Sequence, residues 1–222
     1  MSSKKGVNRF VWNFRRDDLP AVDKVFVYGD YLGGNSAPGT YTLRLILEKD
    51  SLETTVEILA DPRIKASPSD YVDQEKMALA IEEGIREIHQ SVSAMRSAHG
   101  QLKSYQKLLK DHQEAAILLD TAAAIVAKIE KWEHDLIQPK QKTFQDVINF
   151  NNQLNAEFMN LKEYVDSADP VITMGAKQRL GDLQTQWQKF KNIQNEIIKS
   201  DMAAFNKMYK SSNLPVIIMS EN

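Results

Sequence analysis

The sequence predicts an α+β fold, in which a small antiparallel β module precedes an antiparallel four-helix bundle. Five of the nine glycines lie within the first 39 residues, whereas no proline occurs between residues 69 and 138. Apolar residues alternate with polar ones in the first part of the chain and recur with heptad spacing after it; these are the periods of strands and of packed helices. The predicted domains are therefore residues 1–66, a β-sandwich-like module, and residues 67–222, a helical bundle with a short apolar C-terminal tail.

The composition excludes several classes of protein. The chain has 222 residues, of which 42% are apolar and 26% charged, and a net charge of −2, which is ordinary for a globular domain. The charges are balanced in both halves, which argues against a nucleic-acid interface and a polybasic membrane patch. The absence of cysteine excludes disulfides and thiolate chemistry. No apolar stretch reaches the roughly 18 residues that a transmembrane helix needs, so no transmembrane segment is expected.

The first 15 residues include a predicted strand. Residues 8–15 place Phe10, Trp12 and Phe14 on one side, and this alternation predicts a strand with an aromatic core face. An alternative is that Trp12 stacks on a sugar, but the alternation with two phenylalanines favours a core position.

Further extended segments follow in the β module. A short one is expected at residues 25–31, and residues 40–47 and 52–59 predict a β-hairpin across a turn at residues 48–51. Three or four strands are few for a closed sandwich, which needs about seven. The β module is therefore expected to be incomplete.

Three stretches carry a resemblance to a known family. They are Gly6-Val7-Asn8-Arg9-Phe10-Val11-Trp12-Asn13-Phe14-Arg15, then Pro38-Gly39-Thr40-Tyr41-Thr42-Leu43-Arg44-Leu45, and then Asp61-Pro62-Arg63 with Ser69-Asp70-x-x-x-Gln74. In these stretches the chain resembles the C-terminal region of large bacterial BNR-repeat proteins, which are sortilin-like β-propellers often named glycosyl hydrolases. The chain departs from that family where Asn13 and Phe14 replace the usual Asp and Leu.

The resemblance implies an architecture and a location. In that family an immunoglobulin-like module and then helices follow the propeller, so the propeller and the first strands of the module would lie upstream and be absent here. The propeller of the same parent protein would then be the partner of this chain. The resemblance also implies export to the periplasm, the outer membrane or the medium, although the chain itself leaves the compartment unknown.

Four segments with heptad spacing predict the helices. They span residues 71–110, 114–138, 143–165 and 173–212. Short connections between them favour an up-down antiparallel bundle. The apolar seams are Ile81, Ile85, Ile88, Val92, Met95, Leu102 and Leu109; Leu118, Ala122, Ile125, Ile129, Trp132 and Leu136; Val147, Leu154, Phe158, Leu161 and Val165; and Leu180, Leu183, Trp187, Phe190, Ile193, Ile197, Phe205 and Met208.

Signals at the helix ends refine this prediction. Residues 67–70 combine a proline with oxygen side chains that can cap the first helix. His99 continues the seam beside Gly100, so a bend or a hydrogen-bonded core histidine is expected there. The apolar tail at residues 216–219 is expected to pack over the end of the bundle, and the alternative is that it adds a strand.

The residues that could carry chemistry form no recognisable site. The four histidines, His89, His99, His112 and His134, form no His-x-x-x-His or Glu-x-x-His pair of the kind that places metal ligands on one helical face. Glycosidases need two carboxylates about 5 to 10 Å apart across a cleft. The adjacent pairs Glu82-Glu83 and Asp17-Asp18 are better explained by a solvated face. The sequence therefore assigns no catalytic, cofactor-binding or metal-binding residue, and no cofactor.

Two functions from different classes remain. The first is a noncatalytic accessory or interaction module of a larger propeller protein, which is no enzyme by itself. The alternative is a direct part of a glycoside hydrolase acting on carbohydrate, which the family name suggests and no residue supports. Metal or cofactor storage in the bundle is weaker, because the ligand pairs are missing. Unpaired strand edges and an exposed apolar face would also let the isolated chain self-associate through the β module.

Overall fold

A computed structural model describes residues 5–212 and residue 214, and within them the chain is α+β. A two-stranded antiparallel sheet, β1 (Gly39–Ile46) and β2 (Ser51–Ile58), precedes the helices. The helices are α1 (Pro68–Leu109), α2 (Ala116–Leu136), α3 (Leu154–Val165), α4 (Met174–Glu196) and α5 (Ala203–Ser211). A π-helical segment, Ile197–Met202, joins α4 to α5 without a break. Short 3-10 helices occur at Gln113–Ala115 and Phe144–Ile148.

The ends of the long helices follow the signals in the sequence. Ser67 caps α1 in a capping box, in which its hydroxyl accepts from the Asp70 amide and Asp70 accepts from the Ser67 amide. Thr173 caps α4 through a bond from the Ala176 amide. The first, second and fourth predicted helices are confirmed to within a few residues at each end.

The third predicted helix is only half right. Helix α3 begins at Leu154 and not at residue 143, because side chains bind the backbone between residues 149 and 153. Gln138 donates to the Asn151 carbonyl at 2.9 Å, and Gln141 donates to the Phe150 carbonyl at 2.8 Å. Such bonds compete with helical hydrogen bonds.

The predicted strands at residues 8–15 and 25–31 are wrong. Within the described residues before β1, β-type pairing is limited to one isolated bridge between Arg15 and Asn35, and a single further bond between these segments runs from the Leu19 amide to the Tyr31 carbonyl at 2.6 Å. Asn13 folds back to accept a bond from the Arg15 amide at 3.1 Å, and Phe14 between them has a left-handed φ of 58°, which ends an extended strand. The expected aromatic core face is also wrong, because Phe10 and Phe14 are exposed.

The core lies between the helices. Helix α1 contacts α2, α3 and α4, and α3 packs on α4, so the helices share one apolar interior, as in a four-helix bundle. Trp132 and Trp187 are buried in it as predicted. Three residues of the N-terminal segment, defined as residues 15–35, complete it: Leu19, Val22 and Val27. The N-terminal segment therefore packs on the helices, while β1 and β2 pack mainly against each other.

Three further observations concern the helices. Helix α1 is unbroken from Pro68 to Leu109, through Gly100. Among the described residues, no helix combines the length and apolarity needed to cross a membrane. The predicted packing of the apolar tail, residues 216–219, lies outside the described residues.

Candidate functional site

A buried polar layer joins the N-terminal segment to the helices, and Glu82 of α1 is its most buried carboxylate. Glu82 is 2% exposed. One carboxylate oxygen accepts from Arg16 Nη2 at 2.8 Å and from the Gly34 amide at 2.6 Å, and the other accepts from Arg16 Nε at 3.2 Å. The prediction that Glu82 belongs to a solvated face is wrong, because its charge is buried against a guanidinium. Glu83 does point away, as expected, and pairs with Arg86 at the surface.

Asp166, at the end of α3, holds the same segment from the other side. It accepts from Arg15 Nη1 at 2.8 Å and from the Asn35 amide at 2.7 Å. Nearby, the nearly buried Lys162 donates to Asp30 at 3.2 Å. Partial burial acts to raise the pKa of Asp30, but the bonds from Lys162 and from the Leu32 amide outweigh it and lower the pKa. These pairs fix the segment across α1 and α3.

His89 of α1 lies at the centre of this layer and is 2% exposed. Its Nδ1 contacts the Pro20 carbonyl oxygen, and its Nε2 lies 2.8 Å from Asn155 Oδ1. Both neighbouring atoms are oxygens, which accept hydrogen bonds. Both ring nitrogens of His89 would therefore have to carry a proton, and the imidazole would be charged. Burial, however, lowers the pKa of His89, even though both hydrogen bonds act to raise it, so the neutral ring is favoured.

The orientation of the Asn155 amide resolves this conflict. In the amide orientation of the structure, Asn155 Nδ2 and the Tyr31 hydroxyl are buried without hydrogen-bond partners. Burial raises the pKa of Tyr31, and the neighbouring Asn155 side chain acts to lower it, so the two side chains lie close together. Turning the amide over lets Nδ2 donate to His89 Nε2 and lets Oδ1 accept from Tyr31. A neutral His89 protonated on Nδ1 then donates to Pro20, and all four polar groups are satisfied.

The other histidines lie nearer the surface. His99 is not a core histidine: its Nε2 lies 2.9 Å from Glu130 across the α1–α2 surface. His112 contacts Glu114 at 3.3 Å, and His134 is exposed. Within residues 5–212 and residue 214, no group of histidines and carboxylates has the arrangement of a metal site. The acidic pair Asp17 and Asp18 is exposed.

The hairpin presents a different kind of surface. The pairing register sets Tyr41 opposite Val56, Leu43 opposite Thr54 and Leu45 opposite Leu52. Side chains alternate between the faces of a sheet, so these six residues share one face, which we call the apolar face. The charged residues Arg44, Glu53 and Glu57 lie on the other face.

The apolar face is largely uncovered. Leu43, Leu45 and Leu52 are 43%, 41% and 60% exposed. At its base the Trp12 ring lies 5.6 Å from the Tyr41 ring and 5.1 Å from the exposed Phe14 ring. Trp12 is therefore only partly covered.

The sequence contained a weak signal for the buried polar residues. Glu82 and His89 are seven residues apart, and each follows a buried residue of the same helix by four positions, Ala78 and Ile85. They therefore continue the buried stripe along its flank. Arg16 and Asn155 gave no such signal, because each meets its partner about 66 residues away.

Comparison of the chain with known protein families, with curated proteins and with solved structures found no match.

Proposed function

We propose that this chain is a noncatalytic accessory module of a larger protein of the BNR-repeat propeller type, with β1 and β2 as part of an immunoglobulin-like module. The hairpin then joins the helical part to the β structure of the same parent protein. The resemblance in residues 6–15, 38–45 and 61–74 supplies the family, and the exposed apolar face of the hairpin is the observation that carries the proposal.

The physical argument starts from the size of the sheet. A two-stranded hairpin is marginal in water, and three or more strands with an apolar face are needed for stability. Leu43, Leu45 and Leu52 leave the apolar face exposed, and burying each fully would contribute about 1.5–3 kcal/mol. A cover of further strands from the parent β structure supplies both the missing strands and the burial.

The environment of the buried carboxylate supports a structural role. Glu82 is the carboxylate with the deepest burial among the described residues, and Arg16 and Gly34 together occupy both of its oxygens. A general acid or a nucleophile has to reach its substrate within hydrogen-bond distance. An ion pair that fixes the N-terminal segment fits the contacts of Glu82 better.

The upstream reading frame tests the proposal directly. We expect a propeller sequence in frame before residue 1. In the longer polypeptide, the amides of β1 and β2 should exchange with deuterium more slowly than in the chain alone, while α2 serves as an internal control. An in-frame stop codon before residue 1, or unchanged exchange in the hairpin, contradicts the proposal.

A second assay addresses catalysis. The chain is expected to leave a panel of aryl glycosides unhydrolysed. Turnover that disappears when one carboxylate is replaced, for example in Asp30→Asn, contradicts a noncatalytic role and favours the glycoside hydrolase alternative.

A further inference from the structure

The two strands of the hairpin present different outer edges. The alternation of hydrogen-bonded pairs shows which backbone groups each edge turns outward. The Leu47 amide donates to the Asp50 carbonyl at 2.8 Å, so Leu47 and Asp50 form a hydrogen-bonded pair next to the turn. Hydrogen-bonded and non-hydrogen-bonded pairs alternate along antiparallel strands. The register therefore turns the backbone groups of alternate residues outward: Thr40, Thr42, Arg44 and Ile46 on β1, and Ser51, Glu53, Thr55 and Glu57 on β2.

The β1 edge is unpaired among the residues that the structure describes. All four of its outward residues are exposed, and among the described residues no backbone bond outside the hairpin reaches them. Its one charged residue, Arg44, is already paired with Glu53 at 2.5 Å. A row of unpaired backbone donors and acceptors of this kind is a template for another strand.

The β2 edge is less suited to pairing. Its first outward amide, that of Ser51, donates to the Asp50 side chain at 2.8 Å. Two of its outward residues are acidic, Glu53 and Glu57, and Arg44 pairs with only the first. If the β2 edges of two copies paired, Glu53 and Glu57 of both copies would lie on one face as directly opposite or diagonal neighbours. Like charges at these positions repel and destabilise the pairing.

We infer that β1 pairs in antiparallel fashion with β1 of a second copy of this chain, in a register centred on Leu43. The inference rests on the proposed function, because both make the hairpin the contact surface. The proposed function uses the apolar face, whereas the pairing of two copies uses the β1 edge and leaves the apolar face free. The result is a four-stranded sheet with two-fold symmetry.

The register follows from the outward residues. With Leu43 opposite Leu43 of the second copy, Thr42 faces Arg44 and Thr40 faces Ile46, so all four outward residues of each strand pair and form about eight hydrogen bonds. No like charges stand directly opposite. The two Leu43 side chains meet at the two-fold axis, and Tyr41 packs beside Leu45 of the second copy on the apolar face.

Pairing with a second copy would also overcome the low stability expected of a two-stranded hairpin. A four-stranded sheet passes the three-strand threshold for stability. Its apolar face would measure roughly 27 Å by 19 Å, or about 500 Å², twice that of one hairpin. That doubled face is the surface that the proposed parent β structure would cover.

Sedimentation velocity of the isolated chain over a concentration series tests the inference. We expect a monomer–dimer equilibrium. Thr42→Pro removes an outward amide from each β1 strand and should raise the dimer dissociation constant about tenfold or more. Thr55→Pro is the matched control, because Thr55 is the partner of Thr42 in the hairpin and its amide points to the β2 edge. It should leave the dissociation constant within about twofold, since edge strands tolerate proline.

A second pair of variants avoids any effect of proline on folding. Thr42→Lys places a lysine opposite Arg44 of the second copy and should weaken the dimer about threefold to fivefold, less so in high salt. Thr55→Lys should have little effect. A native chain that stays monomeric, or variants at Thr42 and Thr55 with equal effects, overturns the inference. Neither outcome affects the proposed function, which is tested by hydrogen exchange in the longer polypeptide.

Discussion

Two side chains about one turn apart on α2 show how burial determines the contribution of a residue to the free energy of unfolding. Trp132 is 2% exposed, and its Nε1 donates to the Phe190 carbonyl at 3.0 Å. Lys128 is half exposed in an ion pair with Asp201. We expect Trp132→Ala to lower the free energy of unfolding by about 3–5 kcal/mol, because it leaves a large cavity.

Lys128→Ala is the matched control for that change. It should cost less than about 1 kcal/mol, since exposed ion pairs contribute little. Urea unfolding of both variants measures the difference. Small and equal losses for the two variants would mean that Trp132 does not stabilise the core.

His89 gives a pH dependence at the same scale. Burial lowers its pKa in the folded chain below the ordinary value of 6.5, so the unfolded chain binds a proton more readily. Stability from the neutral ring is therefore fully present above about pH 6.5 and is lost as pH falls below it. The free energy of unfolding should be lower at about pH 5.5 than at about pH 7.5.

The variant His89→Gln should reduce this pH dependence, because glutamine does not titrate. His134→Gln, at an exposed position, should retain the pH dependence of the native chain. Urea unfolding at the two pH values checks both variants. An unchanged pH dependence in His89→Gln would show that another group is responsible.

Among the secondary-structure elements, α1 contains two glycines at which the effect of packing can be distinguished from that of helix propensity. A Cβ on Gly84 would lie 2.5 Å from the buried Phe158 ring, whereas a Cβ on Gly100 would meet nothing within 4 Å. Gly84 is therefore where α3 approaches α1 closely. The glycine is needed for this contact and not for its backbone conformation.

Replacing each of these glycines with alanine should change the free energy of unfolding in opposite directions. Gly100→Ala should raise the free energy of unfolding by up to about 1 kcal/mol, because alanine is the better helix former. Gly84→Ala should lower it by about 1–3 kcal/mol through overpacking. Thermal and urea unfolding measure both changes, and a stabilising Gly84→Ala would mean that Phe158 moves aside without cost.

At the scale of the whole molecule, the hairpin and the N-terminal segment differ in their coupling to the helices. Gly39 and Ile58 are paired at the open end of the hairpin, so a short Gly-Ser linker can replace residues 39–58. We expect this variant to keep the free energy of unfolding within about 1 kcal/mol of the native value, because strands that bury little apolar area contribute little.

A chain that begins at Ser67 provides the contrast. It loses the buried side chains Leu19, Val22 and Val27 and the partner of Glu82. It should still fold around the helical core, but with a lower midpoint in urea than the linker variant, since each large buried side chain contributes about 1.5–3 kcal/mol. Equal stability of the two variants would mean that the N-terminal segment contributes nothing to the helical core. The predicted division into residues 1–66 and 67–222 remains a prediction until these variants are compared.

Local sequence patterns were enough to predict the long helices and the hairpin. Heptad spacing gave three of the four helical segments, Ser67 and Thr173 marked the beginnings of two of them, and alternation on either side of a turn gave β1 and β2. These features depend on neighbours a few residues apart, and periodicity and capping report such neighbours directly.

The positions of the buried polar residues depend on contacts between distant parts of the chain. Arg16 and Glu82, and likewise His89 and Asn155, are separated by 66 residues, and no local pattern announces such a partner. The alternation at residues 8–15 predicted a strand because it records which side chains could share a face. A strand also needs a neighbouring strand for its backbone hydrogen bonds, and among the residues that the structure describes, residues 8–15 form just one isolated bridge, between Arg15 and Asn35.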